Sequence, residues 1–234
     1  AYNRSYDLIA EPLRLSFSEE AAPEVSPATN RIDTDSLRGT RVMGLGRAGD
    51  SLLVMTERET FLYSWSTAPR QSTQLAISNR FGCAGPSSVV EGPFGVAWLS
   101  LEGPCVFSGS GVTWIGEQIR GFWDTVTKDE NGEVHYASAV VDEERSLVIW
   151  QLRTTAFEGD TVIEHAKERG DTLLLWCWAN NTFSTIVPST SSQPRCMALL
   201  PHQDGRLRVS FTFDTSDSSH ANHQTKAIFS WDED

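Results

Sequence analysis

Residues 41–53 read RVMGLGRAGDSLL, with Gly44, Gly46 and Gly49 in the spacing G-x-G-x-x-G. In a dinucleotide-binding fold that spacing comes after a buried strand and opens a helix, whose N-terminal N–H groups meet a pyrophosphate. Here the chain continues from Gly49 as DSLLVMTERETFLYSW, residues 50–65. This segment carries β-branched and aromatic residues in two short apolar runs and lacks the 3.6-residue period of an amphipathic helix. The stretch therefore reads as a hairpin: VMGLG a strand, RAGD a turn, SLLVMT the returning strand. Its glycines serve a turn and close backbone approach, and no nucleotide site is expected.

The same plan recurs downstream. FGVAWLSLEGPCVFSGSGVTWI (residues 94–115) turns at Glu102-Gly103, and YASAVVDEERSLVIWQL (136–152) turns at DEER. GDTLLLWCWANNTFSTIV (170–187) turns at Asn180-Asn181, and CMALLPHQDGRLRVSFTFD (196–214) at Asp204-Gly205. Asn and Asp-Gly are residues that tight turns favour. KAIFSW (226–231) adds one more strand. Short strands with frequent turn signals predict an all-β domain. Helix signals are few: TVIEHAKERGD (161–171) reads equally as two helical turns before Gly170 or as a loop insertion within a hairpin, and GEQIRGFWDTV (116–126) has room for one turn.

Successive units begin roughly 45 to 60 residues apart, against about 40 to 50 for propeller blades. The longest interval holds AFEGDTVIEHAKERGD, an insertion between strands. A four-stranded meander buries both faces only when others stack beside it, and radial stacking does this. The expected fold is a β-propeller or part of one, built of antiparallel meander blades over residues 41–234. It has about four units, the last incomplete, and Leu8 to Leu15 is one source for the missing strand. The pattern also admits a β-sandwich. Residues 1–40 include SEEAAPEVSPATNRIDTDS (18–36), polar and Pro-bearing, and read as an extended arm or linker. YDLIAEPLRLSF (6–17) holds enough apolar residues to dock on something.

The net charge of −12 argues against a general nucleic-acid binder, which needs a basic stripe to displace counterions. Cys83, Cys105, Cys177 and Cys196 form no C-x-x-C pair and read as buried free thiols. No apolar run approaches the ~20 residues of a membrane span. The sequence opens at Ala1 without Met or a signal-peptide pattern, as a processed start or a part of a longer chain would.

The segment ISNRFGCAGPSSVVEGPFGVAWLSLEGPCVFSGSGVTWIGEQI (77–119) resembles a phrase in tail proteins of short-tailed bacteriophages, of the tail nozzle or tail-plug type. The matching positions are Gly82, Cys83, Pro86, Ser88, Val89, Trp98, Leu99, Ser100, Gly103, Ile115, Gly116 and Ile119. The likeness extends over about Gly44 to Val187. It implies a propeller subunit of a homo-oligomeric ring, below the portal and adaptor and beside fibre proteins, lining the DNA exit channel. It implies virion localisation after assembly in the host cytoplasm, DNA as a passing cargo, and no membrane partner. The chain is short for a complete nozzle subunit.

No catalytic, cofactor or metal residues are expected. His135, His165, His202, His220 and His223 read as loop residues, and SSHANHQ offers no local ligand set. FSGSGVTW (107–114) is similar to the structural S-x-D-x-G-x-T-W box of propeller sialidases. It keeps Gly111, Thr113 and Trp114, but Phe107 and Gly109 replace the box Ser and Asp. The clusters TERE, TKDENGE, VDEER and WDED read as solvated turns, or as an acidic wall that keeps passing DNA from sticking. The turn carboxylates Glu57, Glu59, Glu102 and Asp142 are poorly placed for catalysis. Trp65, Trp98, Trp150, Trp176 and Trp178 read as blade core; a carbohydrate platform is the sharper alternative. A glycan-binding or glycan-hydrolysing tail module is accordingly the second functional reading.

Overall fold

The computed structural model describes residues 12–18, 31–64, 73–129, 134, 137–154, 157–158, 161–162, 172–186, 193–201, 207–214 and 228–230. β1 (Arg14–Ser16) and β2 (Arg31–Asp33) pair as a short antiparallel ribbon. β3 (Val42–Ala48), β4 (Ser51–Thr56), β5 (Thr60–Ser64) and β6 (Thr73–Ser78) form the first meander sheet. β7 (Val90–Gly92), β8 (Gly95–Ser100), β9 (Gly103–Phe107) and β10 (Val112–Trp114) form the second. A 3-10 turn (Gly116–Ile119) running into α1 (Arg120–Trp123) leads to β11 (Ser138–Asp142) and β12 (Leu147–Leu152). A hairpin of β13 (Phe157–Glu158) and β14 (Thr161–Val162) intervenes before β15 (Thr172–Cys177) and β16 (Thr182–Ile186) complete the third sheet. β17 (Gln193–Pro201), β18 (Leu207–Asp214) and β19 (Ile228–Ser230) form the fourth.

Side-chain alternation along each strand makes the sheets a stack. A strand sends successive residues to opposite faces. On β8, Val96 and Trp98 join Leu53 and Met55 of the first sheet, while Ala97 and Leu99 join Trp150 and Trp176 of the third. On β15, Leu174 and Trp176 face the second sheet, while Leu173 and Leu175 join Met197 and Val209 of the fourth. This is why β8, β9 and β12 are buried on both faces and read as near-continuous apolar runs. β3 lies against β7 and β8, β7 against β11, and β11 against β17, so the first strands of successive sheets line one side of the stack. The fold is all-β: antiparallel meander blades arranged as in a β-propeller or part of one.

Local chemistry explains the turns. Ala48 pairs with Ser51, which leaves Gly49-Asp50 as a two-residue loop with Gly49 at φ 63°. A hairpin turn with positive φ at its first central position favours glycine. The turn is therefore shorter than the expected RAGD. Both tight hairpins of the third sheet end on a left-handed residue, Ser146 at φ 57° and Asn181 at φ 54°. The Trp178 N–H donates to the Ser146 carbonyl at 3.2 Å and ties the two loops together.

The head of TVIEHAKERGD is not helical, because Thr161–Val162 is the strand β14; residues 163–171 lie outside the described residues. The described part of the arm docks, as the apolar residues of YDLIAEPLRLSF allow: its ribbon folds back onto the first sheet. Leu15, Phe17 and Ile32 sit against Val54, Phe61 and Tyr63. β1 pairs with β2, so Arg14–Ser16 adds no strand to the fourth sheet. Trp65, the Asp204-Gly205 turn, WDED and most of TKDENGE lie outside the described residues.

Candidate functional site at the inter-sheet joint

The phrase around Cys83 forms the connection from β6 to β7, and it touches three sheets. The Cys83 N–H donates to the Thr56 carbonyl at 2.8 Å, and the Thr60 hydroxyl donates to the Phe81 carbonyl. Both reach the first sheet. Toward the second sheet, the Ala84 N–H donates to the Leu99 carbonyl at 2.8 Å, and Ser88 Oγ accepts from the Leu99 N–H at 3.1 Å. Toward the third, Trp150 Nε1 donates to the Ser88 carbonyl at 2.9 Å. The Ala84 carbonyl accepts from the Val134 N–H at 2.8 Å.

The backbone is bent to suit. Pro86–Ser88 is a 3-10 turn, entered by a proline whose missing N–H costs nothing there. The Gly85 carbonyl accepts from the Ser88 N–H at 2.9 Å, from Ser88 Oγ at 2.6 Å and from Cys83 Sγ at 3.2 Å. Gly82 runs against the 57–59 turn so closely that a Cβ there would lie 2.2 Å from the Arg58 nitrogen. Val89 fits against Gly44, where a Cβ would lie 2.8 Å from its methyl group. The first glycine of the opening motif thus serves close approach between sheets.

Tryptophans act as struts, with a buried ring and one directed donor. Trp98 Nε1 donates to the Gly82 carbonyl at 2.8 Å, Trp114 Nε1 to the Glu102 carbonyl at 3.1 Å and Trp123 Nε1 to the Leu101 carbonyl at 3.0 Å. Trp98 and Trp150 are both 0% exposed. Trp176 stacks on Trp150 with centroids 6.4 Å apart, and Phe94 meets Trp176 edge-on at 5.3 Å. Trp178 is half-buried against the same core. The remaining positions of the phrase brace the 100–104 turn. Ser100 Oγ donates to the Gly103 carbonyl at 2.7 Å, and the Ile115 N–H to the Pro104 carbonyl at 3.0 Å. Gly116 has no room for a Cβ beside Pro104, and Ile119 packs on the core between the second and third sheets.

The titratable groups of this region are spent on structure. Burial pushes the Cys83 and Cys105 thiols up to about 12 each, which leaves them protonated and poor nucleophiles. Iodoacetamide at about pH 8 should therefore leave both unmodified in the folded protein and label them in denaturant; peptide mapping reads this directly. Cys177 is half-buried and free. Asp142 is 3% exposed and accepts from the Arg145 N–H at 3.1 Å and its Nη1 at 2.8 Å. Glu59 is 6% exposed and holds the arm, and Glu57 does the same beside it. Glu102 receives Arg80 through both guanidinium donors, an exposed pair that contributes little to stability. Glu59 and Asp142 are thus buried and committed to specific donors rather than solvated, whereas Glu143 and Glu144 of VDEER are exposed. Among the described residues, no group of three or more His, Cys, Asp or Glu could hold a metal ion. The five histidines lie outside the described residues.

Sequence reasoning missed the carboxylate anchors and the strut role of the indoles. The signal for the struts was a tryptophan in nearly every blade; the anchors had none beyond acidity near turns.

No family model and no curated protein matches the chain. Among solved structures it is similar to the extracellular domain of a one-component system from B. thetaiotaomicron, at 13% identity and TM-score 0.45, over 86% of this chain and 25% of that one. It is also similar to YCF48 from Cyanidioschyzon merolae, at 14% identity and TM-score 0.43, over 94% of this chain and 71% of that one. The chain spans about a quarter of the first of these. Neither likeness assigns a role.

Proposed function

We propose that this chain is a structural wall element of a short-tailed phage tail, in a nozzle or hub ring around the DNA exit channel. One observation carries the reading: the residues shared with the tail-protein phrase are those that lock the first three sheets together. Gly82, Cys83, Ser88, Trp98 and Leu99 all take part in the joint. A channel wall must resist deformation, and shared close-packed cores with directed hydrogen bonds supply that resistance. The net charge of −12 disfavours lasting contact with phosphate. Identical head-to-tail contacts between copies would close the ring, with portal, adaptor and fibre proteins as neighbours.

The test is mass spectrometry and immunogold labelling of purified particles from the phage whose genome encodes the chain. Peptides of this protein in the virion, with label at the tail, are the expected result. Absence from particles, or release of oligosaccharide from host surface polysaccharide by the purified protein, would overturn it.

A further inference from the structure

The first sheet has two apolar faces, and among the described residues only one meets another of the meander sheets. Leu53 and Met55 meet the second sheet, while Val54, Phe61 and Tyr63 meet the β1–β2 ribbon. At the three internal joints a sheet covers a sheet; here two three-residue strands stand in. The strap is tied to the sheet through the Val42 N–H, which donates to the Pro12 carbonyl at 2.7 Å, through the Asp35 N–H, which donates to Gln74 Oε1 at 3.2 Å, and through two glutamates. Glu59 Oε2 accepts from the Leu37 and Arg38 N–H groups, each at 3.0 Å, and from the Ser36 hydroxyl. Ser36 Oγ in turn accepts from the Gly39 N–H at 2.8 Å. Glu57 accepts from the Thr40 N–H at 2.9 Å, the Thr40 hydroxyl at 2.6 Å and the Arg41 N–H at 3.2 Å, with Arg41 Nε at 3.4 Å. Leu37 itself is 93% exposed, so the 36–41 segment is tied by its backbone rather than by apolar burial.

We propose that residues 12–18 and 31–41 form a releasable strap, and that protonating Glu57 and Glu59 frees it and bares the Val54, Phe61 and Tyr63 face. A protonated carboxyl is a weaker acceptor and turns an O–H toward donors that already point at it. Burial, the largest single influence on each carboxyl, acts upward. For Glu59 the hydrogen bonds from Ser36, Arg38, Leu37 and Gly39 together outweigh it; for Glu57 those from Thr40, from its own backbone and from Arg41 do so. Both groups are held below the ordinary glutamate value. Their contribution is therefore present above that value and is lost as pH falls through the lower folded values. The other charged or titratable groups on the elements meeting there are Arg14, Arg31, Asp33, Asp35, Arg38 and Arg41 on the strap, Arg58 on the turn, Tyr63 on the covered face and Arg80 beyond β6; Asp33 is held low by its ion pair with Arg14, which lies within the strap itself. Arg38 donates to the Asn79 carbonyl at 3.2 Å, and Arg80 is paired with Glu102.

Hydrogen exchange of the full chain, corrected for intrinsic rates, tests the strap. At the lowest pH at which β8, β12 and β15 keep their protection, peptides covering residues 12–18 and 31–41 should exchange at least about tenfold faster than at about pH 7.5. The Glu57→Gln/Glu59→Gln double variant should show the same opening already at about pH 7.5. A strap as protected in the double variant as in the parent chain would overturn the proposal. So would loss of protection in strap and sheets together, which would make the carboxylates part of global stability.

Discussion

Gly82→Ala is expected to destabilise the protein by more than about 3 kcal/mol, out of the roughly 5–15 kcal/mol typical of a folded domain. The added Cβ would lie 2.2 Å from the Arg58 nitrogen, 2.3 Å from the Glu57 carbonyl carbon and 2.4 Å from the Thr56 oxygen. All three are backbone atoms, so no side chain can swing aside. The turn cannot yield easily either. The Thr56 N–H donates to the Glu59 carbonyl at 2.9 Å, and the Glu59 N–H donates to Thr56 Oγ1 at 3.1 Å. Relief must come from moving the connection itself. That movement strains the Cys83 N–H bond to Thr56 and the Trp98 indole bond to Gly82, both at 2.8 Å. Urea unfolding reads the loss as a fall in midpoint. Gly121→Ala is the control, since a Cβ there meets nothing within 4 Å; it should change stability by less than about 1 kcal/mol.

Trp150→Ala should cost about 3–5 kcal/mol, the range for emptying a large buried aromatic site. Trp150→Phe separates the causes. Phenylalanine keeps much of the packing against Trp176 but lacks the indole donor, so the buried Ser88 carbonyl loses its 2.9 Å partner. An orphaned buried acceptor adds about 1–3 kcal/mol to the packing loss. Ser88→Ala removes the acceptor of the Leu99 N–H in the same turn. The two changes share one connection, so their effects should be non-additive by about 0.5 kcal/mol or more in a double-mutant cycle. Additive effects would mean that the second and third sheets do not communicate through this loop.

Much of the fold was legible because its strands are long enough to show alternation and their turns carry explicit chemistry. Val96 to Leu99 and Val148 to Leu152 are buried on both sides, and both runs read as strands without ambiguity. Gly49 and Asn181 sit where positive φ is required. The ribbon was harder to read, since strands of three residues show no period and β1 and β2 are separated by a polar stretch. The carboxylates were misread for a different reason. A glutamate beside a turn looks solvated until the N–H groups facing it are known, and for Glu59 those belong to residues 37 and 38, 22 and 21 positions away. Gly82 shares this problem: what excludes a side chain there is a turn in another hairpin.

The central claim is that the first three sheets open as one body because a single connection binds them. Native-state hydrogen exchange in rising denaturant tests it most directly, through the amides of β4, β8 and β12. The account predicts that all three converge on one opening free energy, equal to that of global unfolding. A first or third sheet that opens alone at a lower free energy, as weakly coupled repeats do, would contradict it.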